Sequence, residues 1–250
     1  MLSTRRNFLL AALGIAWAAV VAACGGVARQ ASGSAAPSQV IASEAPVPID
    51  TPTCVVTPAE TEGPYFVDER LNRSDIRSDP ADSSVRPGVP LALALTVGRM
   101  GTGGCTAFSG AQVDVWHCDA LGSYSDVSAE NTTGRKYLRG YQMTDASGVA
   151  RFTTIFPGWY RGRAVHIHFK VRTFSGSQKK LEFTSQIFFD DAMIDHIYAN
   201  APYSSRAARD TRNSNDMVYS SNNNSGAGLM AKLTAASGGY TATFSVGLNA

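Results

Sequence analysis

Short β-prone runs separated by turn residues dominate the chain after its first third. The runs are 91–97, 111–117, 150–156, 164–174, 183–189 and 241–248. Turn-forming clusters separate the runs: 145–148 lies before the run 150–156, and 175–177 lies between the runs 164–174 and 183–189. Many short strands at this spacing predict a β-sandwich or barrel, and we expect an all-β sandwich of mostly antiparallel strands with long loops. Little helix is expected: residues 190–198 are predicted as a short helix, and the polar stretch 202–228 as an ordered loop over the sheet.

The run 164–174 has an unusual polar face. Its odd-numbered positions 165–171 are apolar, whereas His166, His168 and Lys170 occupy the even positions. Since successive side chains of a strand alternate between faces, the two imidazoles point the same way, about 6.6 Å apart along the strand. A His-x-His pair of this kind occurs in metal sites, and it also occurs by chance on half-buried sheets.

The neighbouring residues do not settle the metal by themselves. No carboxylate follows the pair until Glu182, which argues against a two-His, one-carboxylate Fe(II) site. His117 and His196, which could complete a zinc site, have no obvious relation to the pair. Tyr160 and Tyr124 both follow predicted strands at tight turns, and phenolate oxygen is a hard donor that favours Fe(III). An isolated tyrosine, however, is more often a core or hydrogen-bonded surface residue.

The first 24 residues are predicted to be an export signal. Arg5 and Arg6 precede an apolar run at 8–23, and a charged start followed by such a run is typical of export. The run is too short and too rich in Ala to predict a membrane span. Residues 3–9 resemble the twin-arginine signal, with an ordinary secretory signal as the alternative. We therefore expect an exported protein, in the cell envelope, the periplasm or outside the cell.

The end of the apolar run resembles a bacterial lipobox. Residues 21–25 place small side chains before Cys24, which would be lipidated and become the new N-terminus. The alternative is a chance cysteine beside an ordinary cleavage site. Lipid chains would tether the protein to a membrane without spanning it. Residues 25–50 are rich in Ala, Ser, Gly and Pro and are predicted to be a flexible linker, so the folded domain is expected at 51–250.

Composition limits the remaining choices. The 250 residues are 44% hydrophobic, which suffices for a globular core, and a net charge of +2 without long basic runs predicts no nucleic-acid partner. Three cysteines fall in the predicted domain. In an oxidising compartment we expect a disulfide between Cys54 and Cys105, because Cys118 lies at a buried strand end. The alternative is that all three are free and buried.

Three motifs together resemble the intradiol ring-cleavage dioxygenases. They are TPAETEGPYF at 57–66, VDVWHCDALGSYS at 113–125 and FPGWYRGRAVHIHFKV at 156–171. The resemblance covers 52–250 and is to the exported branch related to the protocatechuate 3,4-dioxygenase β chain. It implies cleavage of catecholic rings between the two hydroxyl-bearing carbons with O₂, giving cis,cis-muconate-type diacids in the breakdown of aromatic compounds. It also implies one non-haem Fe(III), and the ligands it assigns are Tyr124, Tyr160, His166 and His168.

The resemblance assigns further roles around that metal. Tyr160 would be the axial ligand that leaves the metal and takes a substrate proton. Arg163, which on its own is more often a surface residue, would stabilise negative charge developing on the substrate ring. Gln186 would support the same pocket. The other expected pocket residues, for which packing is the alternative, are Gly63, Pro64, Tyr65 and Trp159.

Two departures from the family pattern leave questions open. The segment 160–166 is shorter than in the well-known catechol and protocatechuate enzymes, which predicts a more open pocket and leaves the substrate unassigned. The helical N-terminal dimerisation segment of the catechol 1,2-dioxygenases is missing, so the oligomeric state is open. Two other functions compete: a tethered sandwich that binds aromatic or carbohydrate ligands without turnover, and a zinc hydrolase that uses His166 and His168.

Overall fold

The computed structural model describes residues 55–221 and 226–249. This part of the chain contains nine strands, one α-helix and four short 3₁₀ helices. The strands are β1 (Pro90–Gly101), β2 (Gly104–Ala107), β3 (Gln112–Trp116), β4 (Arg139–Met143), β5 (Val149–Ile155), β6 (His166–Ser175), β7 (Gln178–Phe188), β8 (Lys232–Ala236) and β9 (Gly239–Leu248). The helices are α1 (Asp191–Tyr198) and the 3₁₀ helices Ser128–Glu130, Tyr203–Ser205, Asn213–Asn215 and Ala227–Leu229. The predicted all-β class is confirmed.

One sheet is organised around β1. Its strand order is β2-β1-β9-β8, and β5 also pairs with β1. β5 pairs along residues 90–96 of β1 and β2 along residues 98–101, so the two short partners share the length of one long strand. β1 and β9 are parallel, whereas the other pairs in this sheet are antiparallel. The prediction of mostly antiparallel strands is therefore also confirmed.

The second sheet carries the histidine pair at its centre. Its strand order is β4-β3-β6-β7, and every pairing in it is antiparallel. The register sets Trp116 of β3 and Gln186 of β7 directly opposite His168 of β6. Because residues directly opposite one another share a face of the sheet, the strand pairing alone brings these three side chains together.

The hydrophobic core takes alternate residues from strands of both sheets. Eight apolar residues, four from β1 and four from the 164–174 run, are each at most 1% exposed and belong to one cluster. Burial of each such side chain stabilises the fold by about 1.5–3 kcal/mol. Those residues are Leu91, Leu93, Leu95, Val97, Val165, Ile167, Phe169 and Val171.

The polar face of β6 is also buried, which the alternating pattern did not predict. Lys170 is 3% exposed and Arg172 is 6% exposed. An N-terminal strap, residues 60–69, supplies partners for both: Glu62 forms an ion pair with Lys170, and an oxygen of Asp68 lies 2.8 Å from Nη1 of Arg172. Buried charges are tolerated when they are paired in this way, so the strap can cover the face that also holds the histidines.

The short helix and the long polar loop fall where the sequence places them. The carboxylate of Asp190 accepts hydrogen bonds from the amides of Ala192 and Met193, a normal N-cap for α1. The predicted loop 202–228 contains two of the 3₁₀ helices and the start of a third, and its residues 222–225 lie outside the described residues. Within the described ranges, no helix is long and apolar enough to span a membrane.

Several sequence predictions concern residues that the structure does not describe. The export signal at 1–24 with Cys24, the linker at 25–50 and Cys54 all lie outside the described residues. Cys105 is disulfide-bonded and Cys118 is a buried free thiol. The alternative of three free cysteines is therefore wrong, and the pairing of Cys105 with Cys54 stays a prediction.

Candidate metal centre

The two imidazoles of β6 face each other at close range. The Nε2 atoms of His166 and His168 lie 3.0 Å apart, and both side chains are at most 2% exposed. Nδ1 of His166 lies 2.7 Å from the carbonyl oxygen of Ala164. Because a carbonyl can only accept, Nδ1 carries the proton and Nε2 carries a lone pair. The fold thus orients at least one imidazole as a preformed metal ligand.

Two phenols complete the cluster. The hydroxyl of Tyr160 lies 3.1 Å from Nε2 of His166. Tyr124 is fully buried, and its ring lies 5.6 Å from the Tyr160 ring at an angle of 75°. The Tyr124 hydroxyl has no hydrogen-bond partner in the described part of the chain. An unpartnered buried hydroxyl is costly, and it fits a group that binds a ligand other than protein. The structure brings together all four side chains expected to bind metal.

Hydrogen bonds to Glu130 and close packing against the backbone of Trp159 fix the turn that carries Tyr124. One carboxylate oxygen of Glu130 accepts hydrogen bonds from the Tyr124 amide at 2.6 Å and from the Ser123 hydroxyl at 2.8 Å. Gly122 has a φ of +85°, and a Cβ there would lie 2.2 Å from the carbonyl oxygen of Trp159. Only glycine permits this approach. The backbone of the turn that carries Tyr160 therefore occupies the space that a side chain at position 122 would need.

Burial sets the protonation of the four groups. Burial, helped by the positive charge of Arg163, lowers the pKa of His166 to about 3 and that of His168 well below its usual value. Burial likewise raises the pKa of Tyr124 and of Tyr160 above the usual value for a phenol. The imidazoles are therefore neutral at neutral pH, and the phenols lose their protons only beside a cation.

The donor set fits a single hard cation. Nε2 of His166 lies 3.0 Å from Nε2 of His168 and 3.1 Å from the hydroxyl oxygen of Tyr160, so three donor atoms converge on one place. Among residues 55–221 and 226–249, no group of three or more His, Cys, Asp or Glu side chains is placed to hold a metal. The donors beside the pair are phenol oxygens, which as phenolates suit Fe(III) better than softer divalent ions.

Arg163 lies against this cluster and not on the open surface. Its side chain is 13% exposed, and Nη1 is 3.5 Å from the Tyr160 hydroxyl. Nη2 donates to Oε1 of Gln186 at 2.5 Å, and Nε donates to Asp216 at 2.8 Å. The Gln186 amide nitrogen in turn donates to the carbonyl of Thr61 at 2.8 Å. The predicted arginine and glutamine are thus in direct contact with each other beside the phenol.

The N-terminal strap forms one wall of the site. A Cβ on Gly63 would lie 3.4 Å from Cε1 of His168, so the strap passes close over the imidazole. Tyr65 stacks on Tyr124 with ring centroids 4.4 Å apart and an angle of 26°. Pro64 between them is exposed. Gly63 and Tyr65 therefore contact the predicted ligands, whereas Pro64 faces solvent.

Trp159 lies at the edge of the cluster. It is half-buried, packs against the main core, and lies under the guanidinium of Arg206 at 4.3 Å from the ring centroid. Its contacts support the packing alternative, and its place in the pocket wall stays a prediction.

Three residues at the site were not found from the sequence. The indole of Trp116 stacks on His168 with ring centroids 4.9 Å apart, Glu130 supports the Tyr124 turn, and Asp216 holds Arg163. Trp116 lies in a motif that the sequence analysis singled out, but its place beside the pair follows from the pairing of β3 with β6, which the sequence did not predict. Asp216 had no usable signal, because it lies 53 positions beyond the arginine it binds.

The remaining buried histidine belongs to the scaffold. His117 is 0% exposed; its Nδ1 lies 2.8 Å from the carbonyl of Cys118, and its Nε2 lies 2.7 Å from the hydroxyl of Thr154. Nδ1 therefore donates and Nε2 accepts. With both nitrogens used in hydrogen bonds, His117 takes no part in the donor cluster.

Comparisons with known proteins agree with this arrangement. A family model described as dioxygenase matches residues 61–226, which is most of the chain. The chain belongs to the intradiol ring-cleavage dioxygenase family. Members of this family generally depend on non-haem Fe(III). No curated protein matches the chain in a sequence comparison.

Solved structures of dioxygenases share the fold. An intradiol ring-cleavage dioxygenase from Tetranychus urticae is 28% identical, with a TM-score of 0.69 over 78% of this chain and 95% of that chain. The dioxygenase domain of a dioxygenase–carbohydrate-binding protein fusion from Streptomyces sp. SirexAA-E is 27% identical, with a TM-score of 0.56 over 78% and 99%. A 3-chlorocatechol 1,2-dioxygenase from Rhodococcus opacus 1CP, at 19% identity and a TM-score of 0.51 over 77% and 72%, is similar in fold.

Proposed function

We propose that the protein is a non-haem Fe(III) dioxygenase that opens catecholic rings between the two hydroxyl-bearing carbons. The observation that carries the proposal is the convergence of Nε2 of His166, Nε2 of His168 and the Tyr160 hydroxyl within 3.0–3.1 Å, beside the buried hydroxyl of Tyr124. Two imidazoles and two phenols in one cluster match the ligand set that the family resemblance implies.

The four side chains would hold Fe(III) as two neutral imidazoles and two phenolates. When bound, the metal would draw electron density from a chelated catecholate and make its ring open to attack by O₂. Two phenolates would offset two of the three metal charges, which stabilises the ferric state in a buried site. A zinc hydrolase would not need either phenol. Phenolate oxygens are hard donors, so their presence favours Fe(III) over zinc.

Tyr160 is the phenol placed to exchange a proton with substrate. It is half-buried, whereas Tyr124 is fully buried and is enclosed by Tyr65 and by its own turn. The Tyr160 hydroxyl also lies 3.5 Å from Nη1 of Arg163. We assign to the Tyr160 oxygen the role of accepting one catechol proton, since a general base must lie within reach of the proton that it takes.

Arg163 would stabilise the negative charge that develops on the substrate ring. Its guanidinium is fixed by hydrogen bonds at Nε and Nη2 and faces the phenol with Nη1. A preorganised cation in a water-poor site stabilises developing charge more than a mobile one in solvent. Gln186 would orient this cation through the contact with Nη2.

The proposed reaction balances without a further reagent. The carbon–carbon bond between the hydroxyl-bearing carbons breaks, and each of these carbons gains one oxygen atom from O₂ and becomes a carboxyl group. The ring is oxidised, O₂ is reduced, and no external reductant or organic cofactor is consumed. Catechol, protocatechuate and larger catecholic fragments of plant material are the candidate substrates.

Oxygen uptake by iron-loaded protein tests the proposal. With catechol, we expect equal amounts of O₂ consumed and muconate-type diacid formed, with both atoms of isotopically labelled O₂ in the product. Tyr124→Phe should abolish turnover, whereas Tyr137→Phe should not. Tyr137 is a matched control, because it is also buried and its hydroxyl also lacks a partner among the described residues. Retention of zinc with no iron uptake would favour the hydrolase, and catechol binding without O₂ uptake the non-catalytic binding module.

We also propose that the protein is exported and acts in the cell envelope or outside the cell. The paired arginines at positions 5 and 6 and the apolar run support this, and so does the disulfide at Cys105, since disulfides persist in oxidising compartments. Fractionation of cells that express the full chain tests it. Membrane attachment that is lost in Cys24→Ala supports the lipid anchor, and retention in the cytoplasm contradicts export.

A further inference from the structure

Asp216 is a buried carboxylate outside the motifs that define the site. It lies in the polar loop after α1, is 0% exposed, and accepts four short hydrogen bonds. One oxygen accepts from Nε of Arg163 at 2.8 Å and from the amide of Ala164 at 2.7 Å. The other accepts from the amides of Val218 at 2.8 Å and Tyr219 at 2.9 Å. This carboxylate is fixed on its own loop and fixes the arginine in turn.

Resting on the function proposed above, we propose that Asp216 is a positioning residue for ring cleavage: it sets the orientation of the Arg163 guanidinium relative to the Tyr160 hydroxyl. None of its hydrogen bonds goes to a predicted metal ligand: they come from Arg163 and from the backbone amides of Ala164, Val218 and Tyr219.

The geometry of the guanidinium makes this effect specific. Guanidinium nitrogens form a planar fork, so fixing two of them fixes the third. Asp216 holds Nε, Gln186 holds Nη2, and Nη1 is left facing the Tyr160 hydroxyl at 3.5 Å. Without the carboxylate, only the single contact with the glutamine orients the group. The plane of the guanidinium could then rotate away from the phenol.

The negative charge of Asp216 also compensates the buried positive charge of Arg163. Burial alone would raise the pKa of Asp216, but hydrogen bonds from Arg163 and from backbone amides outweigh it and hold the pKa below its usual value. The carboxylate is therefore ionised at neutral pH and compensates the buried guanidinium. An unpaired charge in this place would be costly, and the arginine would be expected to turn toward solvent.

The loop around Asp216 also holds the turn that carries the phenol. Arg206 donates to the carbonyl of Trp159, and the carboxylate of Asp210 accepts from the amide of Gly162 at 3.1 Å. Asp216 in turn accepts a hydrogen bond from the amide of Ala164, in the segment that follows the turn. The loop therefore makes hydrogen bonds at three successive points of this stretch. Asp216 differs from the other two because it alone among them binds the catalytic side chain Arg163.

Steady-state kinetics of iron-loaded Asp216→Asn with catechol test the inference. The amide keeps the shape and one acceptor oxygen but loses the charge. We expect kcat per bound iron to fall about 10- to 100-fold, with a smaller change in KM, because the loss concerns charge that develops after binding. The substrate-free visible band should keep its intensity, since both phenols still bind the metal. Asp145→Asn is the matched control: Asp145 accepts from two backbone amides and from Arg151, none of which belongs to the site, and its loss should leave kcat unchanged.

A double-mutant cycle with Arg163→Gln separates positioning from a structural role. If Asp216 acts through the arginine, the double variant should be no slower than Arg163→Gln alone. Additive losses, or a kcat for Asp216→Asn equal to that of Asp145→Asn, overturn the inference and leave the proposed function intact. Absence of O₂ uptake in the wild type overturns the proposed function itself.

A conservative variant keeps the test decisive if Asp216→Asn does not fold. Asp216→Glu retains the charge and displaces the carboxylate by one methylene. A reduced kcat with an unchanged substrate-free band, and no further loss on adding Arg163→Gln, supports the positioning role. Full kcat in Asp216→Glu contradicts it, because the orientation of the guanidinium would then not limit the reaction.

Discussion

The indole of Trp116 lies parallel to the imidazole of His168, with ring centroids 4.9 Å apart and an interplanar angle of 6°. The two residues are directly opposite in the pairing of β3 with β6. Nδ1 of His168 has no hydrogen-bond partner in the region that the structure describes. Stacking on the indole, and not a hydrogen bond at Nδ1, therefore orients the ring plane of this predicted ligand.

Truncation of Trp116 should loosen the site. Trp116→Ala is expected to weaken iron binding by about 10- to 100-fold and to cost about 3–5 kcal/mol of unfolding free energy. Trp116→Phe should lose much less, because it keeps a stacking ring and the indole N–H makes no hydrogen bond among the described residues. Chelator competition and urea unfolding measure the two effects. Equal iron affinity in the Ala and Phe variants would show that stacking does not hold His168.

The approach of the two tyrosine-bearing turns can be tested at Gly122. In Gly122→Ala, the new Cβ would lie 2.2 Å from the carbonyl oxygen of Trp159, and the turns must separate. We expect loss of the tyrosinate–iron absorption band with retained far-ultraviolet circular dichroism.

Gly134→Ala is the control for backbone strain in that experiment. Its φ of +80° is close to the +85° of Gly122, but no heavy atom lies within 4 Å of the position that a Cβ would take there. Both variants carry the same cost of a left-handed Ala, about 1–2 kcal/mol, so the difference between them reports the clash. Equal absorption bands in the two variants would contradict the packing described here.

Acid should remove the stabilisation that Asp216 provides. Its pKa in the folded protein is below the usual 3.8, despite burial, because Arg163 and backbone amides bind the ionised form. A lowered folded pKa contributes stability above the unfolded pKa, and this contribution is lost as the pH falls through the folded value. Asp216→Asn should therefore be less stable than wild type near neutral pH, and the difference should narrow below pH 3.8. Urea unfolding of metal-free protein across this range checks the sign; a difference that does not vary with pH would exclude the linkage.

Regular alternation carried most of the fold prediction. The six β-prone runs all fall on long or central strands, and the short helix begins one residue after its predicted start. The strands β2, β4 and β8 were missed because each lies at an edge of its sheet and has no alternating apolar pattern. Such strands are defined by their partners and not by a pattern of their own.

The residues of the site also fall into two groups, those that a local motif predicts and those that only the folded structure brings together. The four donors and Arg163 lie in local motifs, so a family resemblance carried by those motifs could assign them. Burial of Lys170 was not predicted, because the strap that covers it comes from more than a hundred positions earlier in the chain. Asp216 and the stacking of Trp116 likewise depend on which strands and loops meet. Contacts of this kind are properties of the topology, which alternation along one strand does not contain.

Titration of metal-free protein with Fe(III), followed by visible absorption, tests the central claim most directly. We expect one iron per chain and a strong tyrosinate-to-iron charge-transfer band that shifts when catechol is added without O₂. Tyr124→Phe and Tyr160→Phe should each weaken the band, whereas Tyr137→Phe should leave it unchanged. A colourless iron complex, or a band that survives loss of both Tyr124 and Tyr160, would show that these phenols do not bind the metal.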